Sequence, residues 1–176
     1  MSRWRLWVPL LLFLGFVGLA GVMLAKPKSE FVDSRMVGQE LPYFALRPAV
    51  PDRPGLASAD YKDGEPRLLN IFASWCLPCA AEAEQLRRLA EQGAVIDGIA
   101  IRDKPADVAA FLGRYGNPYR AIGADDLSEV QLALGSSGVP ETFVIDGRGR
   151  ITYQHIGDIR AEHVPILLEK LEEAGA

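Results

Sequence analysis

Two cysteines separated by two residues, set where a buried strand gives way to a helix, constrain this chain more than any other feature. Leu68-Leu69-Asn70-Ile71-Phe72-Ala73 reads as a buried strand, Trp75-Cys76-Leu77-Pro78-Cys79 follows it, and residues 80–92 carry a helical pattern. These are the only cysteines among 176 residues, too few for a disulfide-stapled scaffold. The first turn of a helix has N–H groups without intrahelical partners, and they stabilise a thiolate, the reactive form of cysteine. A three-residue step also brings both sulfurs onto one turn, within bonding reach. The arrangement therefore predicts disulfide exchange, with Cys76 attacking from the more exposed end of the helix and Cys79, one turn on, resolving. A purely structural disulfide is the alternative, although so small a loop removes little entropy from the unfolded chain.

The length, with 49% hydrophobic residues, suits one domain and a tail. A net charge of −4, without a basic cluster beyond the N-terminus, gives no footprint for nucleic acid. Residues 6–25 contain no charge, and at about 1.5 Å per residue they would cross a hydrocarbon core of about 30 Å. Arg3 and Arg5 precede this run, which favours a cytoplasmic N-terminus, although Lys26 and Lys28 weaken the asymmetry. A cleaved signal peptide is the competing reading, with Leu19-Ala20-Gly21 imitating a cleavage site, but the apolar run continues to Met23-Leu24. Both readings place the remainder outside the cytoplasm, where disulfides form. The expected organisation is an anchor over 1–25, a linker over 26–36 and one domain over 37–176.

Within that domain, residues 41–46 read as a short first strand and 48–66 as loop or hairpin. A helix after Cys79 carries Ala83, Leu86 and Ala90 on one side and stops at Gly93. A strand over 94–101 comes next. Val108, Phe111, Leu112 and Tyr115 then form the stripe of a second helix. Residues 119–122 suggest a short strand, and Asp126 with Glu129 suggests a capping box for a helix to Leu134. Strands over 141–145 and 151–155 flank the hairpin signal Asp146-Gly147-Arg148-Gly149, and Val164, Leu167, Leu168 and Leu171 mark a last helix. The order predicts a three-layer α/β domain around a mixed sheet.

At this level of detail the chain resembles the thioredoxin-like proteins and, more narrowly, the DsbE/CcmG family of membrane-anchored thiol–disulfide interchange proteins in cytochrome c maturation. The resemblance rests on residues 69–79 with Glu82, on Gly116-Asn117-Pro118-Tyr119, on Gly138-Val139-Pro140-Glu141-Thr142-Phe143 and Ile145-Asp146-Gly147, and on Tyr153-Gln154-His155 with Gly157. It implies a thioredoxin-like fold preceded by one transmembrane helix, with the domain in the periplasm. It also implies reduction of a disulfide in apocytochrome c, whose CxxCH thiols then accept haem. Haem-ligation proteins and a membrane thiol reductase of the DsbD or CcdA type are the implied partners. No cofactor beyond the Cys76–Cys79 disulfide is implied.

The resemblance further implies a cis Val139–Pro140 bond opposite the cysteines, where Val139 offers backbone to a substrate strand, and a Pro78 that influences redox poise. Pro78 is also well placed as plain geometry, in the first helical turn where a missing N–H costs nothing. Trp75 either shields the disulfide and lines a substrate groove with Pro78 and Val139, or packs into the core. Asn70 departs from ordinary thioredoxins, which carry a buried aspartate six residues before the first cysteine to assist proton transfer. An amide cannot take that role, so Glu82 and Glu141 are the candidate replacements: a nearby carboxylate would raise thiol pKa and could accept the Cys79 proton. Otherwise Glu82 is a first-turn acid serving the helix dipole. Asn117-Pro118-Tyr119 reads as a turn entering a strand, His155 as a packing residue, and Asp103 as a helix cap or surface charge.

A dedicated reductant has four rivals. A zinc site would need His155 and His163, eight residues apart, outside the usual H-x₃₋₅-H spacing. Covalent haem attachment would need histidine where Ala80 stands. A non-catalytic apocytochrome-binding module, and a general extracytoplasmic reductant or oxidant, also fit the pattern, since fold does not fix substrate. No basic residue adjoins the motif in sequence, which favours a reductant because a poorly stabilised thiolate is easily oxidised.

Overall fold

The computed structural model describes residues 4–25 and 36–176. They divide into two compact units, one within Met1–Val32 and the other within Asp33–Ala176. In the first, α1 (Trp4–Ala25) is a single helix of 22 residues with Pro9 inside it. Its side chains are described at 7–19 and 21, all exposed. Among the described residues no helix is long and apolar enough to cross a membrane. Residues 26–35 of the linker expected over 26–36, with Lys26 and Lys28, lie outside the described residues, as does Arg3.

The second unit is built around β3 (Arg67–Phe72), whose six residues are all buried, at the centre of a five-stranded sheet ordered β5-β4-β3-β6-β7. The strands beside it are β4 (Ile96–Ile101) and β5 (Ile122–Asp125) on one flank, β6 (Glu141–Ile145) and β7 (Ile151–Ile156) on the other. On the first flank every pairing is parallel, because β3 reaches β4 through α2 (Leu77–Glu91), and β4 reaches β5 through α3 (Pro105–Tyr115). On the second flank every pairing is antiparallel, with β6 and β7 joined by the expected tight turn, where Asp146 Oδ1 accepts from the N–H groups of Arg148 and Arg150. The result is the mixed sheet the sequence predicts. The short helix α4 (Glu129–Ala133) and α5 (His163–Gly175) complete the unit, α5 burying Val164, Leu167 and Leu171.

Helix α2 forms because Leu77 and Pro78 open it without a wasted N–H, and it buries Ala83, Leu86 and Leu89. It ends where Gly93 turns to φ 92°, a conformation that side-chain-bearing residues avoid.

Three expectations change. The first strand shrinks to β1 (Ala45–Leu46), paired with β2 (Leu56–Ala57) from the segment read as loop or hairpin. The strand expected at 119–122 starts at Ile122 instead, while Arg120 and Ala121 still hydrogen-bond to β4 and Tyr119 is buried. Asp126 does not cap α4. Asp125, buried, accepts from the N–H groups of Glu129 and Gln131 at 2.9 Å each, while Asp126 pairs with Arg47 at the surface.

Candidate active site

Cys76 and Cys79 lie where β3 hands over to α2, joined as a disulfide with their Cα atoms 5.3 Å apart. Cys76 is the N-cap of α2, and its sulfur accepts the backbone N–H of Cys79 at 3.1 Å. One turn of helix thus points its free N–H groups at the first sulfur, the condition that lowers a thiol's pKa. The expected contrast in exposure is small in the bonded pair, 5% for Cys76 and 2% for Cys79. What is open to solvent is the rim: Trp75 is 57% and Leu77 81% exposed, and Pro78 is exposed as well.

The backbone before Cys76 is held from the side. Asp103 accepts from Ser74 N–H at 2.5 Å and from Ser74 Oγ–H at 2.8 Å, and it also accepts from Lys104 N–H. Asp103 is therefore a clamp on the active-site loop rather than a cap of α3. Beside it Arg102 adopts φ 45°, a left-handed conformation rare for such a residue, and its carbonyl accepts the Trp75 indole N–H at 3.4 Å. Trp75 is thus a groove wall more than a core residue. It lines an open groove with Arg102, Lys104, Arg114 and Tyr115. Pro78 and Val139 do not line that groove. Asp103→Ala leaves the Ser74 N–H without its acceptor, so it is expected to cost about 1–2 kcal/mol of stability and to speed amide exchange at Ser74. Denaturant unfolding with hydrogen exchange checks this, and wild-type values for both would refute the clamp.

Six residues before Cys76, β3 delivers Asn70 into a buried polar cluster. Its amide N–H groups donate to Glu82 Oε1 and to Thr142 Oγ1, both at 3.0 Å, and its carbonyl oxygen accepts the Tyr119 hydroxyl at 2.7 Å. Glu82 lies three residues past Cys79 on α2, 0% exposed, and its other oxygen accepts Ile159 N–H at 2.9 Å. Burial pushes its carboxyl up to about 7, although the Ile159 and Asn70 N–H groups pull the other way, and Asp158 adds to the rise. The acid is therefore poised to hold or release a proton near neutrality. It is not a first-turn charge serving the helix dipole in water.

Glu141 is not brought to this cluster. Register places Asn70 beside Thr142 and Ile71 beside Glu141, so Glu141 points to the opposite face of the sheet. There, 1% exposed, it accepts from Ser137 N–H and Oγ–H at 2.9 and 2.6 Å and from Gln154 Nε2–H at 2.9 Å. These bonds fix the turn that leads into Pro140. The Val139–Pro140 bond is cis, and continuing the register one step sets Pro140 beside Phe72, at the strand end that leads to Cys76. The Pro140 carbonyl accepts Gly157 N–H at 3.0 Å. His155 packs against His163 with ring centroids 4.4 Å apart and a ring nitrogen 3.3 Å from the Asp158 carbonyl oxygen. Sequence reasoning missed Tyr119, whose aromatic ring inside a turn was the available signal.

A dithiol–disulfide pair at a helix start, on a mixed sheet with a cis-proline strand beside it, defines a thioredoxin-fold protein-disulfide oxidoreductase. The redoxin family model matches residues 36–171. The thiol:disulfide interchange protein HelX of Rhodobacter capsulatus is 34% identical over 171 residues, covering 97% of each chain. DsbE of Pasteurella multocida is 36% identical over 179 residues, covering 96% of this chain and 97% of its own. A DsbE crystal structure from Chlorobium tepidum superposes with a TM-score of 0.67 at 23% identity, covering 80% of this chain and 98% of that one. The chain belongs to the DsbE/CcmG family of thiol:disulfide interchange proteins.

Proposed function

We propose that this protein is a membrane-anchored reductant, held by α1 with its second unit in the periplasm, that reduces the CxxCH disulfide of apocytochrome c or of its maturation partners. The observation that carries the reading is the Cys76–Cys79 pair at the start of α2, above a buried acid held near neutrality. The anchor is supported by the sequence, whose uncharged run 6–25 would span about 30 Å as a helix at about 1.5 Å per residue.

The Cys76 thiolate attacks one sulfur of the target disulfide. A Cys76–target bond forms, and the second target sulfur leaves as a thiolate. Cys79 gives up its proton, and Glu82, one helical step away, is the base placed to take it. The Cys79 thiolate then attacks Cys76 Sγ and releases the first target sulfur. The target gains two electrons and two protons, and the pair is left as the disulfide. A membrane thiol reductase of the DsbD or CcdA type returns it to the dithiol. Val139 offers backbone to the target strand, and the groove behind Trp75 receives flanking residues.

Incubation of the reduced full chain with a disulfide-closed CxxCH peptide tests the reaction, and membrane fractionation tests the anchor. Stoichiometric opening of the peptide with oxidation of Cys76–Cys79 is expected, in a chain that sediments with membranes and resists salt washing. A chain that oxidises peptide dithiols but leaves the disulfide closed would reverse the direction and refute the proposal.

A further inference from the structure

We propose that Tyr119 is a positioning residue for disulfide exchange, holding the Asn70 amide in the orientation that points its N–H at Glu82. This inference deepens the Glu82 role proposed above and rests on it. The observations are geometric. Tyr119 lies on the loop after α3, 49 residues from Asn70 in sequence, yet its hydroxyl meets Asn70 Oδ1 at 2.7 Å. Access depends on Gly98, which stands beside Asn70 in the parallel register. A Cβ there would sit 2.9 Å from Phe72 Cε1 and 3.1 Å from Tyr119 Cδ1. The missing side chain lets the Tyr119 ring stack on Phe72, centroids 4.8 Å apart, and reach Asn70.

The direction of each bond follows from the donor inventory. A tyrosine hydroxyl inside the protein must place its one proton on an acceptor, and Asn70 Oδ1 is the acceptor it has. Turning the amide over would aim N–H at the hydroxyl, strand that proton, and set an amide oxygen against the Glu82 carboxylate. Both changes are costly in a buried site. Tyr119 thus fixes the amide, and the fixed amide gives the Glu82 anion one of its two donors, Ile159 N–H being the other. Without the hydroxyl the amide is free to turn. Its oxygen would then accept a proton from neutral Glu82, which favours the protonated acid. The other titratable groups around Glu82 are Cys79 one turn back on α2 and Asp158 after β7, the latter paired with Arg160.

The test uses the full chain in detergent, with Tyr119→Phe, Glu82→Gln and the double variant. Glu82 ionisation is followed by carboxyl ¹³C NMR, and the exchange rate against pH with a disulfide-closed peptide. In Tyr119→Phe the Glu82 midpoint is expected to rise by about one pH unit, and the exchange profile to move the same way. In the Glu82→Gln background, Tyr119→Phe should move the profile no further. Asn70→Ala, which removes the amide itself, carries the same upward prediction by a route that leaves the Tyr119 ring in place. A Glu82 midpoint unchanged in Tyr119→Phe and in Asn70→Ala, with Glu82→Gln still altering the profile, overturns the positioning role alone. A wild-type profile in Glu82→Gln overturns the Glu82 reading and this inference with it, and that failure shows without Tyr119 being touched.

Discussion

Replacing Cys79 with serine turns the protein into a trap, whereas replacing Cys76 with serine silences it. Cys76 caps α2 and receives the helix N–H that stabilises a thiolate, so its loss removes the attacking group and exchange falls to the uncatalysed background. Cys79 sits one turn inside the helix, and its own N–H serves the Cys76 sulfur, so Cys76 and not Cys79 holds the capping position. Loss of Cys79 leaves the first step intact and removes forward release, because the chain has no other cysteine to attack Cys76 Sγ, and only the target's own freed thiolate can reverse the first step. Non-reducing mass spectrometry of acid-quenched mixtures should find a mixed disulfide with a CxxCH peptide in Cys79→Ser and none in Cys76→Ser. Normal turnover by either variant would contradict the assignment of roles.

The second large effect is the pH dependence that Glu82 imposes. In the folded chain its carboxyl titrates at about 7, and its ordinary value is 4.5. Between those values the folded state binds more protons than the unfolded chain, so stability falls as pH rises. The native chain carries the full penalty only above about 7, where the buried carboxylate is charged. That penalty amounts to about 3 kcal/mol. Glu82→Gln cannot ionise. The stability difference between variant and native chain should therefore move by about 3 kcal/mol in the variant's favour between about pH 4 and pH 8. The lost acceptor for Ile159 N–H or Asn70 N–H sets a constant offset without changing this slope. Chemical denaturation across pH measures it, and parallel curves for the two proteins would show that Glu82 titrates as it does in the unfolded chain.

Local pattern carried most of the fold to the sequence reader. The run 68–73 has the apolar continuity of a central strand buried on both faces, and β3 is that strand. Capping chemistry and periodicity place α2, α3 and α5 for the same reason: their spacing answers to one buried face. The errors fall where a long-range contact overrides a local signal. Asp126 has the spacing of a cap, yet Asp125 is the residue turned inward by the end of β5. Tyr119 looks like the start of a strand, but the space left by Gly98 draws its ring under the sheet.

The site divides along the same line. The cysteines, Pro140 and Glu82 are legible because one helix and one strand register position them. The two candidate acids separate because strand parity sends Glu141 to the face away from Asn70, and parity cannot be assigned until the pairing is known. The clamp from Asp103 and the approach of Arg102 to Trp75 come from a loop 27–29 residues away in the chain, so no local reading could find them. The fold thus brings basic residues near the motif where the linear sequence has none. They are solvent-exposed on the Trp75 side, where screening limits their hold on a thiolate, while the buried charge closest in sequence to the pair is the Glu82 carboxylate.

That balance makes the reduction potential of the Cys76–Cys79 pair in the full chain the most direct test of a dedicated reductant, read against a glutathione or dithiothreitol series with Cys76→Ser as control. An acid below the pair and a weakly supported thiolate favour the disulfide, so a value at or below about −200 mV is expected. A value near −120 mV, that of a strong oxidant, would contradict the account.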